Sequence, residues 1–321
     1  MNNENKKEYE SNNDNTEPRF YDKPNYNEKI TLSRLIPIES KGHRLIIGKG
    51  AFSNVYLYKD IISQEKYAVK IMEKDFILKN LETLEIINKE IEIQSRINHP
   101  NIIRLYNIYE NSNTIYMIME YLNNGNLFDF IHKEKEKLDM NLSINISLEI
   151  ALAIKYLHCR NITHCDLKSK NVLLDQNYHI KITDFRFSKM VNILFEKSNK
   201  LKGKKINFYM PPEIMKNLKY EEKSDVFSYG MIIYEIITGE IPYSNYLPNQ
   251  IIGIVGDCRK IIQVNDHNNN NPYLRKLIIQ CLKYNIQERP SFKSIIRYLT
   301  KVKSILKKKD FKFDDVDQFV I

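Results

Sequence analysis

The sequence predicts an α+β protein of two unequal lobes, a small strand-rich lobe over residues 43–122 and a larger helical lobe over residues 123–306. Three observations lead there. Short runs of β-branched and aromatic residues, divided by turn material, crowd the first stretch. Apolar residues at helical spacing dominate the second. With 42% apolar residues in 321, the chain can bury a sizeable core. The flanks, 1–42 and 307–321, are expected to be tails. Met1–Thr16 is nearly devoid of apolar residues, Pro18, Pro24 and Pro37 discourage helix, and Lys307–Lys309 leads into an acidic-aromatic end.

In chain order, Leu45–Ile47 is a short apolar run ending at Gly48. Val55–Tyr58 and Tyr67–Met72 read as strands joined through Asp60–Glu65. Ile102–Tyr109 and Thr114–Met119 are two more, joined through Glu110–Asn113. Between these pairs, Leu84, Ile87 and Ile91 fall at i, i+3, i+7 and predict one helix. In the second lobe Leu142, Ile146, Ile150, Ala153 and Leu157 form an amphipathic stripe. Asp225–Ile237 is a strongly apolar helix closed by Gly239 and Pro242. Leu274–Leu282 and Phe292–Leu306 are two further helices, and His267–Asn271 is expected to be a flexible loop insertion.

Several classes are excluded by composition. The longest apolar run, near Met231–Ile237, is far short of the roughly 18 residues of a membrane span. The polar first twenty residues are not expected to act as a secretory signal, and neither a myristoylation site, with Asn2 after Met1, nor a prenylation cysteine is expected. Cys159, Cys165, Cys258 and Cys281 form no C-x-x-C pair, which is expected of reduced thiols in a cytoplasmic or nuclear protein. Lys and Arg number 49 against 40 Asp and Glu, a net charge of +9. That balance attracts phosphate, or is simply a Lys-rich surface, and no motif points to nucleic acid.

The chemistry concentrates in a few segments. Glycine is scarce, nine in all, yet two fall in Ile47-Gly48-Lys49-Gly50-Ala51-Phe52-Ser53-Asn54-Val55 between two strands. A backbone without Cβ atoms there can point N–H groups at a triphosphate, although an ordinary hairpin turn explains the segment equally well. On the next strand the ammonium of Lys70 can reach phosphate oxygens, and Glu90 on the following helix is the candidate to hold it. His164-Cys165-Asp166-Leu167-Lys168-Ser169-Lys170-Asn171 stands between the long helix and an apolar hairpin, Val172–Leu174 and Ile180–Thr183. Asp184-Phe185-Arg186 follows. Phosphoryl transfer needs a carboxylate for the attacking hydroxyl, a cation near the γ-phosphate and oxygen ligands for Mg²⁺. Asp166, Lys168, Asn171 and Asp184 offer that set.

These segments, in this order, resemble the eukaryotic protein kinases over about residues 43–306. Asn98-His99-Pro100-Asn101-Ile102, Met119-Glu120-Tyr121-Leu122, Met210-Pro211-Pro212-Glu213, Ser224–Gly230 and Glu288-Arg289-Pro290-Ser291-Phe292 complete the match. Leu167-Lys168-Ser169 with Asn171 is similar to the tyrosine-kinase-like group, whose members mostly phosphorylate Ser and Thr. The resemblance implies a bilobal kinase fold, ATP and Mg²⁺, and a protein substrate; membrane and nucleic-acid partners are not implied, and a regulatory partner is unknown. It implies Asp166 as base, Lys168 at the γ-phosphate, and Asn171 and Asp184 as Mg²⁺ ligands. Lys70 with Glu90 would clamp ATP, and Ile47–Val55 would cover its phosphates. Val55, Ala68 and Leu173 would enclose adenine beside the backbone of Glu120–Leu122, with Met119 as gatekeeper. Glu213 would pair with Arg289, and Asp225 would cap the catalytic-loop backbone.

Four positions depart from the family pattern. Ser53 replaces a third glycine. Cys165 replaces the arginine that would bind an activation-loop phosphate. Arg186 replaces the glycine after Asp184-Phe185, bringing a bulky cation near the metal site and restricting backbone rotation. Ile206 replaces a threonine that would bond the catalytic Asp and Lys. Cys165, Arg186 and Ile206 motivate the alternative of a pseudokinase serving as a nucleotide-binding or scaffold module. Lys197, Lys200, Lys202, Lys204 and Lys205 suggest an acidic substrate, docking of a phosphate on Ser198, or a solvated loop.

Overall fold

The computed structural model describes residues 30–50, 53–79, 81–133, 138–190, 208–216, 218–257, 262 and 271–307. In the first lobe the strands are β1 Leu35–Pro37, β2 Glu39–Ser40, β3 His43–Arg44, β4 Ile46–Lys49, β5 Asn54–Asp60, β6 Lys66–Glu73, β7 Leu105–Glu110 and β8 Thr114–Glu120. Helices α1 Lys74–Ile77 and α2 Leu81–Arg96 lie between β6 and β7. The main sheet runs β1-β5-β6-β8-β7, with β4 also on β5, and every pairing is antiparallel.

Alternation along β6 and β8 sorts this sheet. Ala68, Met72, Met117 and Met119 turn to one face, where they pack against Ile87 and Ile91 of α2. Tyr67, Val69 and Ile118 turn to the other, against Leu35 and Tyr58. Lys70 shares the first face, paired in register with Val55 on β5 and Met117 on β8. The strand pattern thus aims one ammonium at the helix among apolar neighbours.

Two boundaries differ from expectation. The sheet begins at Leu35, before residue 43, because β1 pairs Leu35–Pro37 with Tyr58–Asp60 and buries Leu35. Pro37 is tolerated there because an edge strand can spare an N–H. Residues 1–29 and 308–321 of the two expected tails, and His267–Asn270 of the expected loop, lie outside the described residues. The run Ile102–Tyr109 is also divided, since β7 starts only at Leu105. Ile103 N–H instead donates to the Ile182 carbonyl (2.9 Å), and Ile182 N–H to that of Asn101 (2.9 Å), tying the first lobe to the second.

The second lobe comprises α3 Leu127–His132, α4 Met140–His158, β9 Ile162–Thr163, β10 Val172–Leu174, β11 Ile180–Ile182, β12 Lys189–Met190, α5 Pro212–Met215, α6 Glu222–Thr238, α7 Pro248–Ile251, α8 Pro272–Cys281 and α9 Phe292–Leu306. Helix α4 is its axis. Asp139 caps it by accepting the Leu142 N–H (2.7 Å), and Ile146, Ile150, Ala153 and Leu157 are wholly buried, with Leu142 partly so. It packs against α6, α9 and β11. Helix α6 is buried over most of its length and ends at Gly239 in the left-handed region (φ 69°). Among the described residues no helix is long and apolar enough to cross a membrane.

Gly230 in α6 is required by close approach. A Cβ there would stand 2.8 Å from both Cys281 Cβ and Leu282 Cδ2 on and beside α8. Gly230→Ala must push the two helices apart, and urea denaturation is expected to show a loss of about 1–3 kcal/mol.

Candidate active site

The crevice between the lobes is built from three segments. From the sheet comes Lys70, whose Nζ donates to both carboxylate oxygens of Glu90 on α2 at 2.6 and 2.7 Å. Both side chains are over nine-tenths buried. Their pairing depends on α2 lying close against β6, which the contacts of Ile87 and Ile91 enforce.

The second segment is the loop after β9. Asp225, wholly buried in the first turn of α6, accepts the backbone N–H of His164 (2.9 Å) and Cys165 (3.1 Å) and a hydrogen bond from His158 Nε2 (2.9 Å). Burial alone would raise its carboxyl, but the His158 hydrogen bond, the electrostatic pull of the His158 and His164 rings and the His164 N–H outweigh it and hold Asp225 below the usual range. The carboxylate stabilises a loop whose Cys165 has φ 64°, a left-handed conformation costly for a residue with a side chain. Burial keeps His164 below its ordinary value despite the Asp225, Asp166 and Asp184 charges. The neutral ring accepts the Asp166 N–H at Nδ1 (3.3 Å) and donates from Nε2 to the Thr183 carbonyl (3.2 Å). Thus fixed, the loop sets Asp166 Oδ2 2.6 Å from Lys168 Nζ and 3.3 Å from Asn171 Nδ2. Asn171 Nδ2 also donates to the Asp166 carbonyl (2.9 Å), which turns its Oδ1 the other way.

The third segment is Asp184-Phe185-Arg186. The Phe185 ring is wholly buried, 5.4 Å from that of His164. Arg186 grips Asp184 fork to fork, Nε to Oδ1 and Nη2 to Oδ2, both at 2.6 Å. Burial would raise the Asp184 carboxyl, yet the Arg186 bonds and charge, helped by Lys70 and Lys168, hold it well below the usual range. The left-handed conformation falls on Asp184 (φ 70°), not on Arg186, so the arginine Cβ is not strained where glycine was expected. Above lies the hairpin of β4 and β5, in which Gly50 N–H donates to the Ser53 carbonyl (2.8 Å). A Cβ on Gly50 would stand 2.9 Å from Ser53 Oγ and 3.4 Å from Arg186 Nη1.

The remaining expected residues take these places. Gly48 and Lys49 pair with Val55 and Asn54, Ile47 is exposed at a bulge, and Ala51 and Phe52 lie outside the described residues. Ala68 is buried opposite Met119, Leu122 is buried, and Leu173 is half-buried on β10. Glu120 accepts from Arg104 N–H (3.3 Å) and pairs with Lys181 (3.1 Å), bracing the strap between the lobes. Arg289 is wholly buried and donates to both oxygens of Glu213 at 2.8 and 2.7 Å. Ile206, Cys258, Ser198 and the lysines at 197, 200, 202, 204 and 205 lie outside the described residues; Cys159, Cys165 and Cys281 are not joined in disulfides.

One group of supports escapes sequence reasoning. Glu235 of α6 is wholly buried and accepts from His132 Nε2 (2.7 Å), Ser169 Oγ (3.0 Å) and Tyr209 OH (2.6 Å). Burial raises its carboxyl despite these bonds. The signal for it was present, a single carboxylate inside the apolar run Met231–Ile237.

A model of the protein kinase domain matches residues 43–299 of this chain. The chain belongs to the protein kinase family. It is 33% identical over 261 residues to a probable serine/threonine-protein kinase of Dictyostelium discoideum, covering 79% of this chain and 19% of that protein. It is 33% identical over 258 residues to the serine/threonine-protein kinase CTR1 of Arabidopsis thaliana, covering 79% of this chain and 30% of that one. With STY17, also of Arabidopsis, it shares 27% identity over 247 residues, 77% of this chain and 42% of the relative. The chain therefore spans less than half the length of these curated relatives.

Protein kinases use ATP, generally with Mg²⁺. The Asn171 amide oxygen and the Asp184 carboxylate are hard oxygen donors that suit this ion. Among the described residues no cluster of three or more His, Cys, Asp or Glu forms a ready-made metal cage. The donor set fits Mg²⁺ in kind, although both Asp184 oxygens carry Arg186.

Asp225→Asn keeps the size of the side chain but removes the charge that serves three donors. It is expected to cost about 2–3 kcal/mol at neutral pH by urea denaturation. Since folding depresses the Asp225 carboxyl, its contribution is complete above the unfolded value and fades on acidification. Wild type and variant should therefore converge as the pH falls below about 4.

Proposed function

We propose that this protein is a serine/threonine kinase that moves the γ-phosphoryl group of ATP to hydroxyls of a protein substrate. The observation that carries the reading is that Lys168 and Asn171 both lie within hydrogen-bond reach of the Asp166 carboxylate, in a crevice that also holds a closed Lys70–Glu90 pair. The Asp166 carboxylate orients the substrate hydroxyl and takes its proton as the oxygen bonds to phosphorus. The bond to the β-phosphate oxygen breaks and ADP leaves. Lys168 offsets charge on the transferred group, and Lys70, held by Glu90, binds the upstream phosphates. Asn171, and Asp184 if Arg186 lets go of it, would be the oxygen donors for Mg²⁺, which would neutralise phosphate charge. Adenine fits between Val55, Ala68 and Leu173, beside Glu120–Leu122. Preference for Ser and Thr rests on Lys168 and on the names of the relatives. Cysteines not joined in disulfides support a cytoplasmic or nuclear location.

Asp166→Asn removes the base and keeps the shape. Transfer from radiolabelled ATP to a peptide array should fall by roughly 10²–10⁴-fold. Equal silence of wild type and variant, with ATP still raising the melting temperature, would favour a binding module.

Cys165 cannot pair with a phosphate, and its buried side chain contacts the Thr163 hydroxyl. Phosphatase treatment is therefore expected to leave activity intact, and abolition of transfer would refute this independence.

A further inference from the structure

Arg186 has no part in the machinery above, yet it lies at the centre of the crevice. Its Nε and Nη2 occupy both oxygens of Asp184 at 2.6 Å. The third nitrogen, Nη1, faces the glycine-rich hairpin, 3.4 Å from where a Cβ on Gly50 would stand. Among the described residues Nη1 makes no hydrogen bond. The Arg186 side chain is about one-fifth exposed, so it is not sealed in the core. The carboxylates of Asp184, Glu90 and Asp166 all act on its charge, so the cation is held where negative groups converge.

A guanidinium cannot shed its proton, and its planar fork matches carboxylate and phosphate alike. With one edge on Asp184 and a free nitrogen under Gly50, it can link this carboxylate to a polyphosphate. A divalent ion would otherwise make that link, and it needs the same Asp184 oxygens at short range. Ion and arginine therefore exclude each other at Asp184. The arginine is already seated, and without left-handed backbone strain at residue 186.

We propose that Arg186 is a resident phosphate ligand: anchored on Asp184, it bonds the polyphosphate of a nucleotide beneath Gly50, so that the nucleotide binds without a divalent ion on Asp184. This rests on the reading of the crevice as a nucleotide site. The assignment concerns binding, and leaves Asn171 available to an ion that arrives with ATP.

The test is titration calorimetry of the full chain with ATP, in excess EDTA and in millimolar Mg²⁺. Wild type is expected to give dissociation constants within about threefold of each other in the two buffers. Arg186→Gly should bind at least about tenfold more weakly in EDTA and recover at least as much with Mg²⁺. Arg186→Gln, which keeps the length without the charge, should behave alike, and ligand-free melting curves report whether each variant folds. A wild type that needs Mg²⁺ by tenfold or more, or variants unchanged in EDTA, would overturn the inference. If wild type binds ATP only with Mg²⁺ yet transfers phosphate, the kinase reading stands and this inference falls. Metal-free binding without transfer would do the reverse, and folded wild type that binds ATP in neither buffer would sink both.

Discussion

Charge in the crevice is kept in pairs, because a charge taken out of water without a partner is costly. Lys70 faces Glu90, Lys168 faces Asp166, and Arg186 faces Asp184. Two of these pairs are local, joining residues two apart, and need only a loop of fixed shape. The first joins residues 20 apart and has no such local support. It exists because Ile87 and Ile91 bind α2 to the face of the sheet that carries Ala68 and Met72. Whatever loosens that apolar contact separates the lysine from its carboxylate.

The loop pairs depend on α6. Asp225 and Glu235 lie ten residues apart on this helix, about 15 Å along its axis. The first holds the backbone at His164 and Cys165, and the second holds the Ser169 hydroxyl. The loop from His164 to Ser169 is thus strung between two buried carboxylates of one rigid element. Glu235 also takes the Tyr209 hydroxyl and the His132 ring, so the segment before α5 and the end of α3 share the anchor. Glu213 and Arg289 repeat the device at the far side, with Ser224 of α6 donating to Glu213 at 2.8 Å.

Much of this was legible in the sequence. Phe292–Leu306 is helical over the expected residues, and the stripe on α4 is buried as its spacing requires. Lys70 with Glu90, Glu213 with Arg289, and Asp225 with the backbone at His164 and Cys165 were recognisable from ordered motifs. Three things were not. The β1 strand hides because three residues bounded by Pro37 carry no alternation to read. Ile102 and Ile103 read as strand because apolar content does not say which lobe a residue joins. The grip of Arg186 on Asp184 is a question of side-chain direction, and a substituted glycine signals only that the backbone has less freedom. Glu235 was visible as a lone carboxylate among apolar residues, but its three partners lie in other segments.

The left-handed Asp184 and its guanidinium clasp have a pharmacological consequence. A compound that works by evicting the Phe185 ring from its pocket must swing the flanking residues too. Here it would have to unlatch both bonds between Arg186 and Asp184 before the ring could leave. Inhibitors confined to the space proposed for adenine, beside Ala68 and Leu122, meet no such latch. Chemistry aimed at this protein therefore has better purchase at the mouth of the crevice than behind it.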